Sequence, residues 1–375
     1  MTPTQVRSIP FFDYRQIFLS EEEELVAIFR DTGRRGAFIL QEDLARFEQR
    51  LAAYVGVRYA LGVGNATDGL LIALRAAGIG PGDEVIFCSH TMVATASAIH
   101  FAGAIPVPVE CGADHLMDPE AAQRAVTSRT RALLPTQLNG RTADMGALGR
   151  IAARHGLKMI EDAAQALGSR FGGRAAGTFG DAAAVSFFPA KVLGCLGDGG
   201  VVLTNDPEIY DRTLQLRDHG RSADGEIVSW GLNSRLDNLQ AAILDHRLKS
   251  YPRVIARRRW LAQLYLERLR AVEQIVLPPG PDGDGDHFDV FQNYEIEADN
   301  RDELRGFLKT KGIGTTLPWG GKAVHQWPGL GFNTELPFTE RVFEQVLLLP
   351  MNLFLTDDDV HQVCDAIEDF YRLAA

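Results

Sequence analysis

Lys191 stands in the segment AVSFFPAKVLGCLGDGG, just past an apolar run that reaches Ser186. Pro189 and the glycines at 194, 197, 199 and 200 shape this segment as a loop and not a regular helix. A lysine buried there would lose part of its ammonium character, because burial disfavours charge, and its free amine could attack a carbonyl. Most lysines stay in solvent, so Lys191 alone decides nothing. Upstream, LKMIEDAAQA closes a hydrophobic run with Glu161 and Asp162 and sets Gln165 three residues beyond Asp162. An acid at the carboxyl edge of a strand can keep a pyridine nitrogen protonated, the arrangement that makes such a ring an electron sink. The same acid could equally cap the next helix. Earlier still, Asn65-Ala66-Thr67-Asp68 follows the run ALGVG where a helix begins. Free N–H groups and the positive end of the helix dipole favour a phosphate at such a point, and an ordinary N-cap uses the same residues. Together the segments offer, in chain order, an anion cradle, a ring-nitrogen acid and an imine-forming lysine with Ser186 nearby.

These residues need a scaffold, and the chain from Tyr59 to Asn205 supplies its pattern. The runs ALGVG, DEVIFC, IPVPVE, RALLPTQ, LKMIED, AAAVSFF and GGVVLTN alternate with amphipathic stretches such as DGLLIALRAAG and DMGALGRIAARHG. That alternation predicts an α/β fold with a mostly parallel sheet and helices on both faces. AAAVSFF lacks period-two alternation, as a strand buried on both faces does. Ligands of such sheets sit beyond the carboxyl ends of the strands, so the residues just after these runs matter most.

At 375 residues the chain exceeds the size of a single growing core, so two domains sharing a cleft are expected. A long helical stretch from about Asp237 through Leu269, broken near Pro252, leads to the turn-rich PPGPDGDGD. Beyond it, FQNYEIEA reads as a strand, RDELRGFLKTKG as a helix and DDDVHQVCDAIEDFYRL as a final amphipathic helix, together a smaller α+β domain. The expected division is residues 1–250 for an N-terminal arm and large domain, and 251–375 for the small one. The DGDGD run resembles the start of a calcium loop, but its sixth position is His287 instead of Gly and its twelfth Asn293 instead of Glu, which favours an acidic surface turn.

A net charge of −11 spread over the whole length disfavours nucleic acid as a partner, since phosphate backbones demand clustered Lys and Arg. Cys88, Cys111, Cys195 and Cys364 show no CxxC spacing and no neighbouring His at ligand spacing, so reduced thiols are expected and no metal site. Neither a leader-like segment over Met1 to Phe18 nor a run of roughly 18 apolar residues is present, which predicts a cytoplasmic protein without membrane contact. A dinucleotide site is excluded because ALGVGNATDG lacks the last glycine of GxGxxG at its spacing.

The chain resembles the DegT/DnrJ/EryC1/StrS family of pyridoxal-phosphate-dependent sugar aminotransferases over nearly its whole length. The resemblance rests on NATDGLLIALRAAGIGPGDEVI, IEDAAQALGSRFGG, GTFGDAAAVSFFPAKVLGCLGDGGVVLTND, LRDHG and GLNSRLDNLQAAIL. It implies a fold type I enzyme, with a seven-stranded large domain and a smaller C-terminal α+β domain, that uses pyridoxal 5'-phosphate and its pyridoxamine form. On that resemblance Lys191 carries the cofactor as a Schiff base and is the catalytic amine. Asp162 pairs with the pyridinium nitrogen, Gln165 lies against the ring near its hydroxyl, and Ala66, Thr67 and Ser186 take the phosphate. Asn233, in GLNSRLD, matches a position that reaches the phosphate from the other subunit, which implies a homodimer with composite active sites. Within CSHTMVAT this chain has Met92 where the family usually stacks an aromatic residue on the ring, and a thioether can replace part of that contact. The segment LPWGGKAVHQWPGLG, with Trp319, Lys322 and His325, matches a region near the sugar substrate, although these residues could equally pack the small domain. The implied reaction moves an amino group from L-glutamate to the C3 or C4 keto group of a nucleotide-linked keto-deoxy-sugar. Its rivals are transfer to a keto-cyclitol, a sugar dehydratase of the related branch that carries His at the Lys191 position, and a sensor that binds without turnover.

Overall fold

A computed structural model of the chain describes residues 8–281, 283 and 285–374. The first seven positions of the N-terminal segment, and Asp282 and Asp284 of the acidic turn, lie outside the described residues.

Seven strands form the principal sheet: β1 (Tyr59–Val63), β2 (Glu84–Cys88), β3 (Ile105–Val109), β4 (Thr130–Leu134), β5 (Lys158–Asp162), β6 (Ala182–Ser186) and β7 (Gly200–Thr204). Each coincides with one of the apolar runs expected from the sequence. Their spatial order is β1-β7-β6-β5-β4-β2-β3. The pairs from β6 through β3 are parallel, whereas β7 runs antiparallel to both β6 and β1. Parallel neighbours need a crossover helix, but residues 187–199 return from β6 to β7 as a loop, so β7 must reverse direction. That loop carries Lys191. Strands β2 and β7 are buried at every residue, which explains why their sequences do not alternate.

Helices cover both faces. Helices α3 (Ala66–Ala76) and α4 (Val93–Phe101) pack on Val63, Val85, Phe87, Ala184 and Val202. Helix α2 (Glu42–Val55), which follows α1 (Glu22–Arg35), packs Phe47 and Leu51 against Ala183, Val185 and Leu203 on the other face. Helix α5 (Met145–His155) covers β4 and β5 through Leu148 and Ile151.

The long helical stretch is two helices, α6 (Asn238–Leu248) and α7 (Tyr251–Leu269), separated at Lys249 and Ser250. Pro252 falls in the first turn of α7, where its missing N–H costs nothing. Beyond lies an antiparallel sheet of β8 (Ile275–Val276), β9 (Tyr294–Ala298) and β10 (Val346–Leu349), in that order. It packs against α7, α8 (Arg301–Thr310) and α9 (Asp357–Ala374) through Leu261, Tyr265, Ile296, Leu308, Leu347 and Ile367. Strand β9 starts three residues later than FQNYEIEA suggested, because Phe291 adopts φ 50° and interrupts extended backbone there. Ile9 joins this C-terminal cluster and bridges to Ile313, so the N-terminal segment belongs to the same packing unit. All four cysteines are buried and free. No helix of the described residues is long and apolar enough to cross a membrane.

Candidate active site

Beyond the carboxyl ends of β4, β5 and β6, facing the first turn of α3, lies a cavity of about 580 Å³. Ala66, Thr67, Met92, Asp162, Gln165, Ser186, Lys191 and Trp319 all line it, so eight of the residues singled out in the sequence converge on one space.

The end of β5 shows how the sheet sorts two adjacent acids. Successive side chains on a strand point to opposite faces. Glu161 turns away from the cavity and accepts hydrogen bonds from the N–H groups of Gly177, Phe179 and Gly180 and from Gln137 Nε2, at 2.7–2.9 Å. It braces the loop before β6. Asp162 faces the cavity, where its Oδ1 accepts the Ala164 N–H at 3.1 Å and its Oδ2 accepts Thr95 Oγ1–H at 2.7 Å. Thr95 Oγ1 also meets Thr91 Oγ1 at 2.8 Å, and Thr91 meets Thr136 Oγ1 at 2.9 Å. A hydroxyl has one proton to give. With Thr95 donating to the carboxylate, Thr91 donates to Thr95 and Thr136 to Thr91, so the relay has one direction and ends on Asp162. Burial raises the Asp162 pKa, and the Thr95 hydroxyl, the Ala164 N–H and the Lys191 charge offset only part of that rise. Such a carboxylate gains more from a cationic partner than one already saturated with donors.

Lys191 Nζ has the complementary problem. Burial pushes its ammonium down to about 8, against the pull of Asp162's charge. An appreciable neutral fraction therefore exists near pH 7, which is what a nucleophilic amine needs. The lysine loop is clamped from outside the sheet: Gln292 Oε1 accepts the Val192 N–H, and Gln292 Nε2 donates to Ala190 O, both at 2.9 Å. Those bonds grip the two residues that flank Lys191.

At the start of α3, Asn65 is the N-cap and its side chain accepts the Asp68 N–H at 2.8 Å. The cap reading and the anion reading hold together, because capping takes the Asp68 donor while the N–H groups of Ala66 and Thr67 have no acceptor within the helix. Gly200 brings the start of β7 against this turn, and a Cβ there would lie 2.5 Å from the Asn65 carbonyl carbon and 2.7 Å from Ala66 N. Only glycine permits that approach. Gln165 Oε1 accepts the Asn139 N–H at 2.7 Å, which leaves its Nε2 donors for a ligand. Met92, the residue before α4, is half exposed on the cavity wall. Trp319 has φ 53°, and its buried Nε1 has no hydrogen-bond partner among the described residues.

Three expected site residues are not brought to this cavity. Asn233 is exposed and accepts from Arg235 on the protein surface. Lys322 is exposed with Nζ 5.1 Å from the Trp327 ring, which lines a neighbouring cavity of about 520 Å³ that shares Thr91, Met92 and Trp319. His325 is buried with both ring nitrogens engaged, by Ser89 Oγ at 2.7 Å and Glu340 Oε1 at 3.0 Å, and it anchors its segment instead of facing the cavity. Conversely, Thr95 and Gln292 escaped the sequence reading. Thr95 sits in CSHTMVATAS with no marker beyond the helix register that puts it under Asp162, and Gln292 is about a hundred residues from the loop it holds.

The donor set fits pyridoxal phosphate. It combines N–H groups at a helix start for the phosphate, a buried carboxylate with no direct ion pair among the described residues for the ring nitrogen, and an amine of lowered pKa for the aldehyde. A mostly parallel sheet with this cavity at its carboxyl edge, and a lysine and an aspartate lining it together, is the arrangement that an enzyme of the lysine-dependent group-transfer class needs. The chain belongs to the DegT/DnrJ/EryC1/StrS aminotransferase family, whose profile matches residues 19–368. Among its relatives is a dTDP-3-amino-3,4,6-trideoxy-alpha-D-glucose transaminase of Streptomyces venezuelae, 41% identical over 371 residues, covering 96% of each chain. Among solved structures, S. venezuelae DesV in complex with a ketimine intermediate superposes with TM-score 0.93 at 41% identity, covering 97% of this chain and 98% of that one. NtdA from Bacillus subtilis with bound cofactor PMP superposes with TM-score 0.91 at 27% identity, covering 99% of this chain and 87% of that one.

Proposed function

We propose that this aminotransferase uses pyridoxal phosphate to move an amino group from L-glutamate to a keto group, at C3 or C4, of a nucleotide-linked keto-deoxy-sugar. The observation that carries the reading is the pair of Lys191 and Asp162 facing one cavity, with the amine lowered to about 8 and the carboxylate buried with no direct ion pair among the described residues. When bound, the cofactor supplies an aldehyde that exchanges amines and a ring that withdraws electrons from the substrate carbon.

The protein's own residues do the rest. Asp162, held by Thr95 and Ala164, keeps the ring nitrogen protonated. Ala66, Thr67 and Ser186 hold the phosphate, Gln165 orients the ring through Nε2, and Met92 covers one face with its thioether. Lys191 attaches the cofactor through Nζ. With the cofactor bound and the amino donor in place, the freed Lys191 amine would take the proton from the substrate Cα as general base and deliver it as general acid to the cofactor's C4′. The keto-sugar is aminated by the same movements in reverse. Trp319 forms the wall between the two cavities and is placed to contact the sugar.

Asn233 completes the reading as a contribution to the phosphate of a second subunit, which makes the functional unit a homodimer with two composite sites. Its exposure away from its own cavity supports this assignment. The four buried free thiols suit the reducing cytoplasm. The separate apolar clusters support a division into a large domain up to about residue 250 and a small one after it, with Ile9 returning to the latter.

The test is the absorbance spectrum of the purified protein with pyridoxal phosphate, before and after L-glutamate, beside a Lys191→Ala variant. The expected result is a visible band that glutamate bleaches in the wild type and that is altered in the variant. A band indifferent to glutamate would refute glutamate-dependent transamination.

A further inference from the structure

Outside the cavity, three residues far apart in sequence meet at the seam between the two sheets. His90 follows β2, His115 lies in the loop after β3, and Glu295 projects from β9. Strand β9 alternates faces: Tyr294, Ile296 and Ala298 enter the C-terminal core, which leaves Glu295 and Glu297 side by side on the face toward β2 and β3. His115 Nδ1 lies 2.7 Å from Glu295 Oε1, and His115 Nε2 lies 3.2 Å from Glu297 Oε1. His90 Nε2 stands 3.5 Å from Glu295 Oε2.

His90 is 1% exposed and Glu295 4%, yet among the described residues neither His90 ring nitrogen nor Glu295 Oε2 has a hydrogen-bond partner. Buried polar atoms left unpaired lose their hydration without compensation, so three in one spot call for a partner. A proton is one candidate. Burial alone lowers His115, but the hydrogen bonds to Glu295 and Glu297 outweigh it and raise the imidazole to about 10. That imidazolium accounts for Glu295 Oε1 and Glu297, but it leaves His90 only the 3.5 Å approach of its Nε2 to Glu295 Oε2 and neutralises one of two adjacent carboxylates.

We propose that His90, His115 and Glu295 form a binding site for a divalent transition-metal ion, zinc in the first instance, that joins the β2 and β3 loops to β9. One donor atom from each of the three lies within 4.8 Å of the others. Tetrahedral zinc with bonds of about 2.0–2.1 Å spaces its donors about 3.4 Å apart, so modest side-chain adjustment closes the set. Two imidazoles and a carboxylate are a donor set that suits zinc and leaves a fourth position for water. A small recess of about 60 Å³ is lined by His115 and Glu295 and offers an entry path. Glu297 is the outer partner: with His115 Nδ1 on the ion, Nε2–H donates to Glu297 Oε1, a carboxylate–histidine–metal arrangement that fixes the tautomer. The divalent charge balances both carboxylates. Nothing in the sequence spacing suggested this site, since His115 and Glu295 are 180 residues apart.

The experiment is calorimetric titration of zinc chloride into the chelator-treated holoenzyme, dialysed free of excess pyridoxal phosphate, which itself binds metal ions. The expected result is one tight site per chain, lost in Glu295→Gln and His115→Asn and weakened about 10–100-fold in Glu297→Gln. Absence of a tight stoichiometric site in the wild type, or equal binding in a folded Glu295→Gln protein, would overturn the proposal. Cobalt(II) added to the wild type is the measurement that needs no variant. Intense visible bands of four-coordinate cobalt support the site, and the faint spectrum of an octahedral aqua ion refutes it.

Discussion

Thr95 Oγ1 lies 2.7 Å from Asp162 Oδ2, and the hydroxyls of Thr91 and Thr136 stand behind it in a single file. The carboxylate is therefore held at the end of a relay that can only donate toward it. A hydrogen bond to a charged group is worth about 1.5–3 kcal/mol. Thr95→Val should raise the Asp162 pKa further and weaken retention of pyridoxal phosphate roughly tenfold or more, with the fold intact. Equilibrium dialysis of the cofactor, with circular dichroism as the folding control, checks this. Unchanged retention would show that Asp162 needs no support.

Lys191 gives a pH dependence of definite sign. Its pKa of about 8 in the folded, cofactor-free chain lies below the roughly 10.4 of an unfolded lysine. Between those values the unfolded chain binds more protons, so stability of the cofactor-free protein should rise with pH from about 8 to about 10 and level off above. Below pH 8 the penalty of the buried ammonium is fully present. Lys191→Met should remove the slope and stabilise the cofactor-free protein at pH 7 by about 1–3 kcal/mol, read by urea denaturation across that pH range.

The proposed homodimer with composite sites predicts complementation. Lys191→Ala and an Asn233→Asp variant should each be nearly inactive alone, the second because a carboxylate repels phosphate. Mixed and allowed to exchange subunits, they should recover about a quarter of wild-type activity, since half the dimers are hybrids with one intact site of two. Simple addition of the two residual activities would show that Asn233 serves its own chain.

His325 and Trp319 share a segment but should part company on substitution. His325→Ala breaks the bonds to Ser89 and Glu340 and should lower stability by about 1–3 kcal/mol while leaving KM for the sugar nearly unchanged in the protein that remains folded. Trp319→Ala should raise that KM with a smaller loss of stability. Thermal melts and steady-state kinetics on both variants separate the roles.

The large sheet was legible because its strands announce themselves locally. AAAVSFF and GGVVLTN are short apolar runs bounded by turn residues, and Lys191, Asp162 and Ala66 follow such runs directly. What sequence concealed depends on tertiary placement. Glu161 and Asp162 are chemically alike in the sequence, and only the pleat of β5 decides that one braces a loop and the other faces the cavity. The sequence leaves His325 open between a substrate contact and packing, and Ser89 and Glu340, brought from elsewhere in the chain, engage both of its nitrogens. The start of β9 was misplaced because an apolar Phe291 gives no sign of its positive φ. Gln292 and the cluster of His90, His115 and Glu295 carry no local signature, since each partner is supplied by another part of the fold.

The grip of Gln292 on Ala190 and Val192 ties the mechanical state of the C-terminal part to the reactive amine. Gln292 lies two residues before β9, in a stretch whose carbonyl oxygens at Phe291 and Gln292 are themselves held by buried Arg258 of α7. A rigid rotation of that part would have to break these two bonds or carry the backbone on either side of Lys191 with it, so the position of the amine relative to Asp162 is coupled to the C-terminal part through Gln292.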